Sequence, residues 1–165
     1  MKHRILIYIF SISITYLMPL CMYAYYPTVR NFTKDSYRSG AQNWCIAQGE
    51  GGNIWSANSE IIEFNGKEWT GYQTLNRTSA RSLYYDTKYK RMYFGATNEF
   101  GYLHINENDL MEYVSLRDSI KIITGEIWAI HKQGDTFWLR ENNNIYSFDS
   151  KEVKQYRFND KIAFS

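Results

Sequence analysis

The chain has 165 residues, with 19 basic and 17 acidic side chains, two prolines, two cysteines and an aromatic share of 18 % that includes 15 tyrosines. That length suits one domain, and the near-balance of charge argues against a nucleic-acid binder, which carries a basic excess on one face. A hydrophobic share of 44 % excludes intrinsic disorder, and two cysteines are too few for a disulfide scaffold.

The first feature in chain order is Lys2, His3 and Arg4 ahead of a charge-free run over residues 5–20. This reads as a secretory leader with a cut after Ala24. Leu20 stands where a lipidation signal at Cys21 wants a small residue. The charge-free run continues through Tyr26, so an uncleaved membrane anchor, kinked at Pro19, is the alternative. Residues 1–24 are thus expected to be a signal peptide or membrane anchor, and the rest of the chain to be exported. Removing Lys2 and Arg4 leaves 17 basic against 17 acidic residues. A formally neutral exported part weakens any case for steering towards phosphates or anionic lipids. Cys45 lies between Trp44 and Ile46 in an apolar run, where a buried free thiol is expected.

Beyond the leader, short stretches alternate or run apolar and then meet Gly, Asn, Asp or Lys clusters, which is the pattern of strands and hairpins. Strands are predicted at 44–47, 53–57, 61–64, 82–85, 91–95, 102–105, 126–131, 136–139 and 144–148. The stretches repeat. Asn43-Trp44-Cys45-Ile46 overlies Arg81-Ser82-Leu83-Tyr84, and the same offset lays Ile54-Trp55-Ser56-Ala57 over Met92-Tyr93-Phe94-Gly95. A third copy begins at Ile127-Trp128-Ala129-Ile130 and continues through Thr136-Phe137-Trp138-Leu139. A further short strand follows each copy, at 68–72, 110–114 and 153–158. Roughly four strands in about 40 residues is the period of a propeller blade. One blade is apolar on both faces and buries them only against its neighbours. That accounts for bulky aromatics on middle strands and for small residues, Ala57 and Gly95, where blades press together. A β-sandwich is the alternative. The predicted class is therefore all-β, a partial β-propeller over 25–165 with blades at about 40–75, 79–116 and 125–160.

The run Tyr37-Arg38-Ser39-Gly40-Ala41-Gln42-Asn43-Trp44, then Gly52-Asn53-Ile54-Trp55-Ser56-Ala57-Asn58 and Ile62-Glu63-Phe64-Asn65-Gly66-Lys67-Glu68-Trp69, resembles the first blade of the "regulator propeller" sensors of Bacteroidetes. Further matches are Met92-Tyr93-Phe94-Gly95 with Glu99-Phe100-Gly101-Tyr102-Leu103, then Glu112-Tyr113-Val114-Ser115-Leu116 and Glu126-Ile127-Trp128-Ala129-Ile130. The resemblance spans about residues 30–150. Glu60 departs from it, because repeats of the family carry glycine near that place, so the turn before the third strand is expected to be rebuilt.

The resemblance implies about three blades of an incomplete seven-bladed-type propeller serving as a periplasmic, ligand-sensing head. In such proteins a triple-tyrosine β-sandwich, a transmembrane helix and an output module follow. The output is a histidine kinase of two-component type or a LuxR-type helix-turn-helix region that controls carbohydrate-use genes. The Gln-Asn-Trp and Glu-Phe-Gly-Tyr runs favour the helix-turn-helix subgroup. The implied partners are an oligosaccharide or other small ligand, the membrane, and a second copy in a homodimeric receptor. No nucleic acid is expected on this part. Closed propellers need about four to eight blades, so a chain ending near its third blade is expected to be a fragment.

An enzyme needs a nucleophile, acid–base pair or metal cluster. His104 and His131 stand alone, so neither a metal nor any other cofactor is expected. Gly49, Gly51 and Gly52 fall between two strands and read as a hairpin turn instead of a phosphate loop. Trp44, Trp55, Trp128 and Trp138 have faces suited to sugar rings, but their recurrence reads as core packing. Polar residues just before the first strand of each blade ring the mouth of the channel, and Gln42, Asn43, Arg81 and Glu126 meet that condition as ligand-binding candidates. Their alternative role is bonding to neighbouring blade turns. The chain is thus expected to bind without catalysis. The rivals are an exported propeller enzyme acting on polysaccharide, with an acid beside another acid, a histidine or an arginine at the mouth, and a structural adhesion module.

Overall fold

The computed structural model describes residues 28–120, 125–149 and 152–162. The expected leader, 1–24, lies outside the described residues. Two units are distinguished, Met1–Asn31 and Phe32–Ser165. Of the first, residues 28–31 are described, and they are irregular and exposed. Among the described residues no helix is long and apolar enough to cross a membrane.

Among the described residues the second unit has one short α-helix, α1 (Lys34–Tyr37), two 3-10 turns (Glu50–Gly52 and Arg117–Ser119) and twelve strands. β1 (Cys45–Gln48), β2 (Ile54–Ala57), β3 (Ile61–Phe64) and β4 (Trp69–Tyr72) form the first sheet. β5 (Ala80–Asp86), β6 (Arg91–Ala96), β7 (Glu99–Ile105) and β8 (Met111–Ser115) form the second. β9 (Ala129–Gln133), β10 (Thr136–Arg140), β11 (Asn144–Phe148) and β12 (Val153–Arg157) form the third. Every sheet is an antiparallel meander in chain order, the all-β blade arrangement that the repeat predicts.

The hairpins close with turn chemistry written in the sequence. The Oδ1 of Asn65 accepts from the amides of Lys67 and Glu68, and that of Asn106 accepts from Asn108 and Leu110. Asp86 and Asp149 cap their own turns in the same way. Such Asx turns reverse the chain without a long loop. Gly66 sits at φ +91° and Gly134 at +61°, where a side chain is strained.

The middle sheet is packed on both faces, and alternation along β6 shows how. Successive side chains of a strand point to opposite faces. Met92 and Phe94 join Trp55, Ala57 and Ile61 of the first sheet in one core cluster. Tyr93, between them, joins Phe137, Leu139 and Tyr146 of the third sheet in the other. Gly95 marks the closest approach: a Cβ there would stand 2.6 Å from Cγ2 of Ile127 and 2.6 Å from Oγ of Ser82. The inner strands β1, β5 and β9 lie side by side, as blades do around a channel. On the far side of the first sheet, Phe32 and Tyr37 set their rings 5.3 and 5.6 Å from that of Trp69. The segment before β1 thus covers a face that would otherwise be bare.

One local difference from the sequence reading has a physical cause. The first strand of the third copy starts at Ala129, not 126, because Glu126 bridges to Thr97 in the β6–β7 turn and the Ile127 amide donates to the Ala96 carbonyl at 3.3 Å. Those residues tie two sheets together before the strand begins. Glu60 is accommodated by Gly71 on the neighbouring strand, whose missing Cβ would meet the Glu60 carboxylate at 2.6 Å, and β3 starts directly after it.

Candidate functional site at the start of the inner strands

Antiparallel pairing fixes where each inner strand begins. The Trp44 amide donates to the Ala57 carbonyl and the Trp128 amide to the Arg140 carbonyl, each at 2.8 Å. Unbroken pairing then starts at Cys45 opposite Ala57 and at Ala129 opposite Arg140. In the second sheet Ala80 opposes Ala96 and Ser82 opposes Gly95, so Arg81 is the extra residue of a β-bulge. A bulge re-aims the side chain of its unpaired residue. The position immediately before unbroken pairing is therefore Trp44, Arg81 and Trp128 in the three sheets.

These three side chains meet. The Arg81 guanidinium lies 4.2 Å from the centre of the Trp44 ring and 5.2 Å from that of Trp128. The two indoles contact each other edge to face at 5.4 Å. Arg81 donates to Oε1 of Glu126 from Nε at 3.0 Å and from Nη2 at 2.8 Å. Glu126 is held from both sides: Gly125 donates its amide to buried Glu141 at 2.9 Å and accepts from the Asn98 amide at 2.9 Å. The Ser82 hydroxyl donates to the Ile127 carbonyl at 2.8 Å. All three sheets thus contribute to one cluster of two indoles, a guanidinium and a carboxylate.

Chemically, this cluster offers an aromatic surface beside fixed polar groups. Trp44 keeps 38 % of its surface open to solvent. The side chains of Arg81 and Glu126 are 16 % and 30 % exposed. A guanidinium has five donors, of which Glu126 engages two, and the carboxylate has a second oxygen to accept with. Stacking by Trp with nearby charge-assisted hydrogen bonds suits a ligand with an apolar face and hydroxyl edges.

Of the four candidates at the mouth, the structure brings Arg81 and Glu126 into contact. Asn43 is exposed, but its Oδ1 accepts from the Ser56 hydroxyl and from buried Asn58, each at 2.8 Å. It bonds within its own blade, the alternative role for these positions. Gln42 is exposed, and among the described residues no hydrogen bond joins it to the cluster. The tryptophans divide. Trp55 is buried as expected, but Trp44 and Trp128 flank Arg81, and half-buried Trp138 stacks on Tyr156 at 6.0 Å instead of entering a core cluster. The physical reason is their place in the fold, since 44 and 128 precede the strands and so project beyond the packed blade faces. Cys45 is a half-buried free thiol, its Sγ 4.0 Å from the Leu83 carbonyl.

No family model matches the chain, and no curated protein matches it either. Among solved structures it is similar to the WD40 β-propeller domain of Doa1, with a TM-score of 0.51 and 11 % sequence identity. The alignment covers 74 % of this chain and 47 % of that one, so the chain spans about half the length of the structure it matches. At that identity the likeness speaks for fold alone, and together with the three stacked meanders it makes this an all-β, propeller-like chain.

Proposed function

We propose that this chain is the ligand-sensing, extracytoplasmic part of a transmembrane signal-transduction or transcriptional regulator, and that its ligand is a glycan fragment bound where the inner strands begin. The observation that carries the reading is the cluster of Trp44, Arg81, Trp128 and Glu126. Sugar rings present C–H faces to aromatic side chains and hydroxyls to charged donors and acceptors, and this cluster supplies both. The leader-like N-terminus supports an exported, periplasmic location.

Mechanistically, the chain binds and does not transform. A ligand held by residues from three sheets favours the arrangement in which those sheets close on it. In a homodimeric, membrane-attached receptor that preference shifts the balance between two states of the whole assembly. Calorimetric titration of the full-length protein with a panel of host and plant oligosaccharides tests the reading. Binding that weakens on Trp44→Ala is the expected result, and silence across the panel would overturn it.

An acid beside an arginine at the mouth is also the minimum that a polysaccharide-cleaving propeller would need, and Glu126 with Arg81 meets it. Polysaccharide cleavage that disappears in Glu126→Gln would favour this second reading.

A further inference from the structure

A second polar feature lies at the same end of the sheets, outside the tryptophan cluster. An open cleft of about 280 Å³ is lined by Arg38, Ser39, Ser59, Glu60, Gln73 and Arg77. Antiparallel order places it: Ser59 follows β2, Gln73 follows β4, and Arg38 and Arg77 precede β1 and β5. The cleft therefore opens at the end where Trp44 and Arg81 sit.

One wall is an organised set of hydroxyls. The Ser39 hydroxyl donates to Oδ1 of Asn58 at 3.0 Å and lies 3.0 Å from the Ser59 hydroxyl, which accepts the Gly40 amide at 2.8 Å. Asn58, fully buried, returns a bond from Nδ2 to the Gly40 carbonyl at 2.7 Å. Gly40 is required here, because a Cβ would stand 2.7 Å from Oδ1 of Asn58 and 2.8 Å from Oγ of Ser59. Both arginines are held in left-handed backbone, Arg38 at φ 52° and Arg77 at φ 54°. That is uncommon for a residue other than glycine, asparagine or aspartate, and strain of this kind collects at functional sites. Among the described residues neither arginine forms an ion pair. The carboxylate of Glu60 lies against Gly71, which leaves the lining with two guanidinium groups against one carboxylate.

Resting on the glycan reading above, we propose that this cleft binds the acidic group of an acidic sugar, a carboxylate or a sulfate ester. A guanidinium fork can engage two oxygens of a carboxylate, or two of the three terminal oxygens of a sulfate ester, bidentately. Ser39 and Ser59 stand beside them, where they meet ring hydroxyls, and Glu60 accepts from a hydroxyl of the same sugar. The cleft is open and excludes little water, so the arginines, not apolar burial, set the preference.

The test is calorimetric titration of the full-length protein with three probes of equal length: a disaccharide containing glucuronic acid, its sulfated counterpart, and cellobiose. Acidic probes should bind more tightly than cellobiose, and their affinity should fall as NaCl is raised from about 50 to about 300 mM. Arg38→Gln or Arg77→Gln should weaken acidic binding about tenfold or more, leave cellobiose unchanged, and recover in part as Arg→Lys. The tighter of the two acidic probes identifies the group. If cellobiose binds as well as the acidic probes, or if acidic binding ignores both arginines, the acidic cleft is overturned while the glycan reading stands. If no probe binds, the acidic cleft is overturned, and the glycan reading is decided separately by the oligosaccharide panel.

Discussion

Arg81, the unpaired residue of a bulge in the second sheet, reaches Oε1 of Glu126 at the threshold of the third through both Nε and Nη2, at 3.0 and 2.8 Å. One side chain thereby joins two blades while its guanidinium lies over an indole from each of the others, 44 and 128. Cation–π contacts contribute about 0.5–1 kcal/mol at exposed sites, and partly exposed ion pairs about 0–1. Arg81→Ala should therefore lower stability by roughly 1–2 kcal/mol, read by urea unfolding. Arg81→Lys should not restore it, since an ammonium cannot make the fork or stack flat on indole. A double-mutant cycle with Glu126→Gln showing no coupling would mean that the pair is incidental.

Gly95 tests the blade stacking itself. Its missing Cβ would fall 2.6 Å from Ile127 and from Ser82, both fixed by a hydrogen bond that spans two sheets. Overpacking a close-packed core costs about 1–3 kcal/mol. Gly95→Ala should fall in that range, and Gly95→Val above it, as shifts in the midpoint of denaturant unfolding. A neutral Gly95→Ala would show that the second and third sheets do not meet as described.

How much of this was legible in the sequence differs between fold and site. The repeat carried the fold, because a blade's apolar faces demand neighbours and so impose a period that survives divergence. Asx turns at Asn65, Asn106 and Asp149 were visible as breaks for the same local reason. The site was half legible. An offset without gaps pairs Asn43 with Arg81, whereas the bulge between Ala80 and Ser82 makes Arg81 the counterpart of Trp44. One inserted residue was enough to hide a ring of equivalent positions and to make its tryptophans read as core. The cover supplied by Phe32 and Tyr37 has no repeat to announce it.

Lys132 shows the same limit for charge. Its side chain on β9 is buried against Asp86, 46 residues earlier, a pairing that no local pattern announces, with its ammonium 4.9 Å from the Phe137 ring centre. Burial pushes the Asp86 carboxyl up, but the Lys132 hydrogen bond, the amides of Tyr89 and Lys88 and the lysine's charge outweigh it and hold it below the usual aspartate range. A carboxyl depressed in the folded state stabilises above its unfolded value, near pH 4. That contribution should be lost as pH falls through this value towards the lower folded one. Lys132→Met should cost about 3–5 kcal/mol at neutral pH by stranding Asp86, and the deficit should shrink in acid. Removing both charges, as Asp86→Asn with Lys132→Met, should cost less than Lys132→Met alone.

Glu99 behaves in the opposite sense. It is 2 % exposed at the start of β7, and its Oε1 accepts from the Ser115 hydroxyl at 2.6 Å. Burial raises its carboxyl above the usual glutamate range, against the opposing pull of Ser115, Arg117 and the Phe100 amide. A group raised on folding favours the folded state most below its unfolded value, and that advantage is lost as pH rises through the folded one. Ionised Glu99 is therefore a burden at neutral pH. Glu99→Gln keeps an acceptor for Ser115 and removes the buried charge, so the variant should be more stable than the parent at pH 7.5, with the gap closing towards pH 4. Urea midpoints measured across that range decide it: a gap that stays constant with pH would show that Glu99 carries no titration-linked cost, and a less stable variant would show that its charge is compensated where it lies.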